Sequence, residues 1–218
     1  MQLTDRQPAE PSGSARPLRT VNDRAALHHL LENGSLTRVE LRELTGLAKP
    51  TASQVMRRLI DSGLAVTVGR TTAKHVGPKA EVYAVNVDYA FAGSATLREP
   101  HGITVAVADL AGHKRATAAK KVDFRAVSAD QAVFDLLSRT AAAAGIDPDR
   151  IGTLHLAVPG AYDPDSDTIG HTDIPGLAGT RPRTALAERL RASIEVHNDV
   201  NAATVAERRN PDVTGGLA

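Results

Sequence analysis

The chain has 218 residues, a length that allows one or two domains. Hydrophobic residues make up 42% of the sequence and charged residues 23%, a balance typical of a globular protein with a real core. The absence of cysteine excludes a disulfide framework, a thiol nucleophile and a cysteine-ligated metal. No apolar run reaches the ~20 residues of a membrane span, and the polar N-terminus lacks a signal-peptide core. We therefore expect a cytoplasmic protein without membrane contact.

The net charge of +1 conceals an asymmetry between the two halves of the chain. Residues 1–85 hold 12 Lys and Arg against 8 Asp and Glu, which gives +4, whereas residues 86–218 hold 14 against 17, which gives −3. A basic front half favours contact with a polyanion such as nucleic acid. The field is weak, so the charge alone leaves chance as an alternative.

The first predicted elements are a disordered tail and a helix. Residues 1–18 are polar and rich in proline, which is typical of disorder. Leu27, Leu30 and Leu31 then follow helical spacing, and Gly34 marks the end of this helix.

A capping box predicts the start of the second helix. The Thr37 side chain can accept from the backbone N–H of Glu40, and the Glu40 carboxylate can accept from the N–H of Thr37. This short helix ends at Gly46. A third helix follows after four residues, with Pro50 in its first turn, where proline is tolerated.

The third helix carries the clearest pattern in the sequence. Gly63 ends it, strands are predicted over 64–68 and 81–85, and residues 69–79 form a basic loop between them. Three helices followed by such a hairpin predict a winged helix-turn-helix domain over residues 19–86. The apolar stripe of the third helix is Ala52, Val55, Met56, Leu59 and Ile60.

The third helix is the candidate recognition helix, because the second helix of a helix-turn-helix pair enters the major groove of double-stranded DNA. Hydroxyl, amide and guanidinium groups read base edges and phosphates. We expect base contacts from Thr51, Ser53 and Gln54, and phosphate contacts from Lys49, Arg57 and Arg58. The basic loop would add Arg70, Lys74, His75 and Lys79. The alternatives are a merely solvated helix face and a winged helix that binds protein instead of DNA.

Residues 87–218 read as an α/β layer domain of alternating strands and helices. Strands are predicted within 89–125 and over 152–158 and 194–196, and helices over 128–144, 183–192 and 201–208. No internal repeat interrupts this order.

These segments resemble the ROK family of transcriptional regulators and sugar kinases. In the predicted winged helix the resemblance rests on residues 34–41, 45–53 and 64–66. In the α/β domain it rests on residues 105–112, 157–160, 173–176 and 196–203. It implies that an RNase-H-like, actin-type α/β lobe follows the winged helix. Ala48 departs from the pattern, because the family usually has a serine that caps the recognition helix there.

The resemblance also implies a function: a homodimeric repressor of carbohydrate-related genes whose lobe senses a sugar or sugar phosphate. Asn198 and Asp199 match the family's sugar-facing pair. Asp199 could equally cap the helix predicted over 201–208. The chain lacks the family's second lobe with its Glu-x-Gly-His and cysteine-rich zinc motifs, so we expect an incomplete domain.

A carbohydrate kinase is the alternative function. In kinases of the family a glycine-rich turn cradles ATP phosphate, and the matching positions here are residues 97–101. Glu99 adds a negative charge and Pro100 removes a backbone donor, so this turn cannot bind ATP in the family's manner. We therefore expect no catalytic residues and no cofactor.

No metal site is predicted. Residues 163–167 begin like a calcium loop but lack the glycine and glutamate that such a loop needs, which favours a simple turn. The eight histidines are scattered without metalloenzyme spacing, and we interpret them as structural.

Overall fold

The computed structural model describes residues 15–71, 80–98 and 102–202, and the chain divides into two compact units, 1–86 and 87–218. The first unit contains α1 (Ala15–Asn33), β1 (Ser35–Thr37), α2 (Arg38–Thr45), α3 (Lys49–Asp61), β2 (Ala65–Arg70) and β3 (Glu81–Val85). The second contains β4 (Phe91–Arg98), β5 (Gly102–Asp109), β6 (Lys114–Lys120), α4 (Ala129–Ala143), a 3₁₀ turn (Pro148–Arg150), β7 (Ile151–Val158), β8 (Ala161–Asp163), β9 (Thr168–Gly170), α5 (Pro182–Ala187) and β10 (Ser193–Asn198).

The helices of the first unit pack through the predicted apolar positions. Ala26 and Leu30 of α1 and Leu41 of α2 are almost fully buried. Four members of the α3 stripe join them, and Ile60 is half-buried. The buried members of the stripe are Ala52, Val55, Met56 and Leu59.

The prediction of a disordered tail over residues 1–18 is wrong at its end, because α1 begins at Ala15. Residues 1–14 lie outside the described part. Pro17 does not prevent the helix, since the first turn of a helix leaves its N–H groups without intrahelical partners in any case.

The wing is a three-stranded antiparallel sheet in the order β1-β3-β2. Strand β1, which the sequence did not predict, pairs Leu36 with Tyr83 of β3. Tyr83 is 1% exposed and anchors the sheet in the core. The register of β2 shifts between Thr67 and Gly69. Lys74, His75 and Lys79 of the predicted basic loop lie outside the described residues.

The second unit is built on a five-stranded sheet in the order β10-β7-β4-β5-β6. Strands β4, β5 and β6 are antiparallel neighbours, whereas β4, β7 and β10 run parallel. This is the topology expected of an RNase-H-like lobe, and the predicted mixed α/β class is confirmed. Leu97, Val105 and Leu154 of the sheet pack in one core with Leu137 of α4 and Leu186 of α5.

Asp167 joins the β8–β9 hairpin to α5. Its carboxylate accepts hydrogen bonds from the Tyr162 hydroxyl (3.0 Å), the N–H of Arg183 (3.1 Å), and the N–H and hydroxyl of Thr184 (2.9 and 2.7 Å). Burial acts to raise the pKa of Asp167, but these hydrogen bonds outweigh it and leave the pKa below its ordinary value. The backbone turns over residues 164–167 between the paired strands β8 and β9, which confirms the predicted turn.

Three boundaries in the second unit differ from the prediction. The helix predicted over 183–192 is the shorter α5, because the chain turns so that Leu190 and Ile194 both enter the core. Strand β10 extends to Asn198, and a helical segment begins at Asp199, with residues 203–208 outside the described part. Within the described ranges, no helix combines the length and the apolar character that crossing a bilayer requires.

Candidate nucleic-acid interface and effector site

The helix-turn-helix geometry follows from local hydrogen bonds. The N–H of Thr37 donates to the Glu40 carboxylate (2.7 Å), and the N–H of Glu40 donates to the Thr37 hydroxyl (3.3 Å), which confirms the capping box. The Glu40 carboxylate also accepts from the Thr37 hydroxyl (2.8 Å), and the two hydrogen bonds that this carboxylate accepts lower the pKa of Glu40. At the end of α2, Gly46 adopts a left-handed φ of 68°, and its N–H donates to the Arg42 carbonyl (2.8 Å). The chain can thus turn sharply into α3.

Helix α3 begins without a side-chain cap. Ala48 has the extended dihedrals of an N-cap residue, φ −61° and ψ 149°, but no side chain accepts from the first turn. Pro50 in that turn partly compensates, because it has no N–H that needs a partner. The Ala48 backbone therefore already has the conformation that a capping serine or threonine would adopt.

The polar face of α3 points away from the core of its unit. Gln54 and Arg57 are exposed and lie opposite the buried stripe, whereas Thr51 and Ser53 are half-buried at its two edges. Lys49 is exposed at the first position of the helix. The polar face of α3 therefore presents two hydroxyls, an amide and a guanidinium, and the Lys49 ammonium lies at the start of the helix.

Arg58 differs from its neighbour because it has an internal partner. Its guanidinium makes a two-pronged ion pair with Asp23 of α1, with Nη2 to Oδ1 at 2.6 Å and Nε to Oδ2 at 3.1 Å. The hydrogen bond to Asp23 raises the pKa of Arg58. The side chains are 36% and 27% exposed. The contact ties α3 to α1 and occupies donors that were predicted to contact phosphate.

A second cluster ties α2 to the wing. Arg38 lies 3.1 Å from the Glu81 carboxylate and 5.2 Å above the ring of Tyr83, whose hydroxyl donates to Glu81 (2.6 Å). Burial and the hydrogen bond to Glu81 raise the pKa of Tyr83 to about 12. Arg70, the described cation of the predicted wing, is exposed at the end of β2. The cluster thus fixes the sheet against the helix pair.

In the second unit, the predicted effector pair lies at the carboxyl end of β10. Since β4, β7 and β10 are parallel, their carboxyl ends meet at one edge, which is where open α/β sheets bind ligands. Asp199 lies there with Thr96 and Arg98 of β4, and all three line one groove. The structure therefore places a carboxylate, a hydroxyl and a guanidinium beside the same space.

The capping role considered for Asp199 belongs instead to Asn198. The Asn198 side-chain oxygen accepts from the N–H groups of Val200 (3.0 Å) and Asn201 (3.4 Å), whereas Asp199 accepts from its own neighbour Val200 (2.9 Å). The Asn198 amide also donates to the Gly160 carbonyl (2.7 Å). Helical residues begin at 199 and not at 201, which is why the cap moves back by one residue.

Two histidines that were interpreted as structural lie together on the sheet. His155 of β7 and His197 of β10 approach to 3.2 Å between Nδ1 and Nε2, and Glu195 lies within 3.7 Å of both. They are 42 positions apart in the sequence, so the cluster depends on the register of two strands. Alternation along each strand could have shown which face each residue occupies, but not the pairing.

The comparisons with known proteins support the fold of both units. Residues 19–65 match the family model "winged helix-turn-helix DNA-binding", so this segment is similar to winged helix-turn-helix DNA-binding domains. A search of curated proteins finds no match.

Among solved structures, the chain is similar to a ROK family transcriptional regulator described as a homolog of the Escherichia coli Mlc protein. The identity is 16% and the TM-score 0.64, over 91% of this chain and 50% of that one. A ROK hexokinase from Thermus thermophilus is 21% identical with a TM-score of 0.49, over 57% of this chain and 40% of that one. The predicted resemblance is confirmed in fold, and the chain spans half the length of the regulator.

Proposed function

We propose, from the premise that the chain has the fold of a ROK family regulator, that it regulates transcription by binding double-stranded DNA as a homodimer. The observation that carries the proposal is the exposed polar face of α3 within a segment that matches a DNA-binding family. Helix α3 enters the major groove, and the two copies of α3 in a dimer reach two half-sites.

The residues of α3 contact different parts of the DNA, depending on their position and side-chain type. Thr51, Ser53 and Gln54 contact base edges, since hydroxyl and amide groups can pair with them. Lys49 and Arg57 contact phosphates and supply affinity that depends on salt. Arg70 at the end of β2 and Lys74 of the predicted basic loop add contacts to DNA phosphates.

Arg58 takes a different role from the one its sequence position predicts. Its guanidinium is engaged by Asp23, and a phosphate contact would compete with that ion pair. We assign it as a positioning residue that sets the angle of α3 against α1.

The second unit senses a sugar or sugar phosphate, and the protein acts as a repressor of carbohydrate-related genes. Asp199 is the residue that contacts the effector, because it lines the groove at the carboxyl edge of the sheet. Asn198 holds Asp199 in place through the bonds of its amide to Gly160 and to the following turn. The effector works by favouring one dimer geometry over another.

The proposed function is that of a regulator and not of a kinase. The positions that match the family's phosphate-binding turn begin with Leu97 and Arg98 at the end of β4, and Glu99 and Pro100 follow. A carboxylate and a missing backbone donor oppose binding of a phosphate there. A cytoplasmic location follows from the DNA partner.

The decisive experiment measures DNA binding of Arg57→Ala across a range of salt concentrations. The probe is a fluorescent duplex pool of random sequence, long enough for two half-sites. We expect fluorescence anisotropy to show weaker binding and a salt dependence shallower by about one unit for each phosphate that the variant no longer neutralises.

The matched control is Arg139→Ala, which removes an exposed arginine from α4 in the other unit. It should bind the pool like the wild type. Equal affinity and equal salt dependence of Arg57→Ala and the wild type would refute the role of the α3 face.

A further inference from the structure

The exposed face of the second unit's sheet carries a group of donors that the DNA-binding proposal does not use. His155 and Glu195 are directly paired across β7 and β10, and His197 lies two residues beyond Glu195 on the same face. Among described residues, these three form a cluster whose donor atoms all lie within 4.8 Å of one another. Imidazole nitrogen and carboxylate oxygen are the donors that zinc accepts in proteins.

We propose that His155, Glu195 and His197 bind one divalent transition-metal ion of the zinc class. The donor atoms are Nδ1 of His155, Nε2 of His197 and Oε2 of Glu195, and the distances between them are 3.2, 3.6 and 3.7 Å. Metal–ligand bonds of about 2.0–2.2 Å place the donors of a tetrahedral site about 3.3–3.6 Å apart. The three distances between donor atoms agree with that tetrahedral range within about 0.1 Å.

The two imidazoles already lie next to each other. Their centroids are 5.4 Å apart with planes tilted by 21°, and one ring nitrogen donates to the other. A metal replaces that shared proton, and both nitrogens then act as donors of electron pairs to the ion. Small rotations of the side chains suffice, because the rings are 49% and 40% exposed.

The site would join two strands that are otherwise held by backbone hydrogen bonds. Strand β10 is an edge of the five-stranded sheet, and His197 immediately precedes Asn198. The same groove is lined by both histidines, Arg98 and Asp199. Three protein ligands leave a fourth position for water or for an oxygen of a bound molecule.

A natural control lies in α1. His28 and His29 also lie near a glutamate, with Nε2 of His28 at 3.2 Å and Nδ1 of His29 at 3.6 Å from separate oxygens of Glu32. The composition is the same, but adjacent positions on a helix point the rings apart, with centroids 5.8 Å apart and planes tilted by 46°. This trio does not form a three-donor cluster.

The test is a titration of the full chain, stripped with a chelator, with zinc chloride against a chromogenic zinc indicator. We expect one equivalent to bind, and both His155→Gln and His197→Gln to weaken the affinity at least about tenfold, as the loss of a ligand should. Glu195→Gln should weaken it as well. The double variant His28→Gln/His29→Gln should bind like the wild type.

Circular dichroism and the melting temperature without metal verify that each variant is folded, which we expect because all three side chains are exposed or half-buried. In the wild type, saturating zinc should raise the melting temperature, and in His197→Gln this shift should be lost. Absence of zinc binding by the wild type overturns the proposal. So does wild-type affinity in the His155 and His197 variants, or an equal loss in the α1 control.

Discussion

The two units of the chain build their chemistry in different ways. In the winged helix, most polar groups of the candidate interface lie on α3, and the residues next to it in the sequence set where that helix begins and ends. In the lobe, the groups of interest come from strands separated by tens of residues. His155 and His197 are 42 positions apart, and Asn198 bonds to Gly160 across 38.

This difference shows which kind of site a single sequence can reveal. Helical spacing and caps are local signals, so α3 could be located and its faces assigned before any coordinates. Strand pairing is non-local, and the register that joins β7 to β10 has no signature in either strand. A site that depends on register therefore becomes visible only in the fold.

The largest expected effect is on stability, and it comes from replacing one left-handed glycine in each unit. Gly102 has a φ of 89°, and a Cβ there would lie 2.2 Å from the Lys120 carbonyl oxygen. Gly46 has a similar φ of 68° but open space around it. We expect Gly102→Ala to lower the free energy of unfolding by about 4 kcal/mol through backbone displacement, and Gly46→Ala by about 1 kcal/mol through strain alone.

Urea denaturation followed by circular dichroism measures both values. Similar losses in the two variants would show that distant backbone contacts do not distinguish the lobe from the winged helix.

The next effect concerns the buried carboxylate of the lobe. Asp167→Ala leaves the donors on Thr184, Tyr162 and Arg183 without their acceptor, and we expect a loss of about 3 kcal/mol at neutral pH. The folded pKa of Asp167 lies below its ordinary value of 3.8, so its stabilisation is present above that value. It disappears as the pH falls through the lower folded pKa.

The stabilities of wild type and Asp167→Ala should therefore converge at acid pH, as measured by urea midpoints from pH 7 downward. Asp163→Asn, in the same turn but exposed, should change the midpoint little. A constant gap between wild type and Asp167→Ala at every pH would contradict the ionic role.

The smallest effect compares two adjacent arginines of the winged helix. Arg58→Ala breaks the pair with Asp23 and should cost about 1 kcal/mol, because the pair is partly exposed and well aligned. Arg57→Ala should leave the stability within about 0.5 kcal/mol, as is usual for surface substitutions. A double-mutant cycle with Asp23→Ala isolates the pair, and zero coupling would remove Arg58 from its positioning role.

The sequence predicted most of the fold through signals that act within one element. The capping box at Thr37, the α3 stripe and the end of α3 before Gly63, which has a left-handed φ of 77°, are confirmed. Strand β1 escaped prediction because three residues between two helices carry no periodicity, and β3 supplies all of its pairing.

The sites were less predictable than the elements, for two physical reasons. The partner of Arg58 is 35 positions away on another helix, so its engagement depends on how α1 and α3 pack. The capping role of Asn198 depends on where β10 ends, which the sheet decides and not the local sequence. Residue type could identify Arg58 and Asn198 as candidates, but their hydrogen-bond partners depend on the fold.

Under the proposed function, the neighbours Arg57 and Arg58 have different roles, because Arg57 contacts DNA and Arg58 positions α3. This difference has an evolutionary consequence. Changes at Gln54 and Arg57 alter which DNA sequence α3 recognises without changing how α3 packs in its unit. A change at Arg58 demands a compensating one at Asp23. Under the proposed function, the DNA sequence that α3 recognises can therefore change independently of how α3 packs against α1.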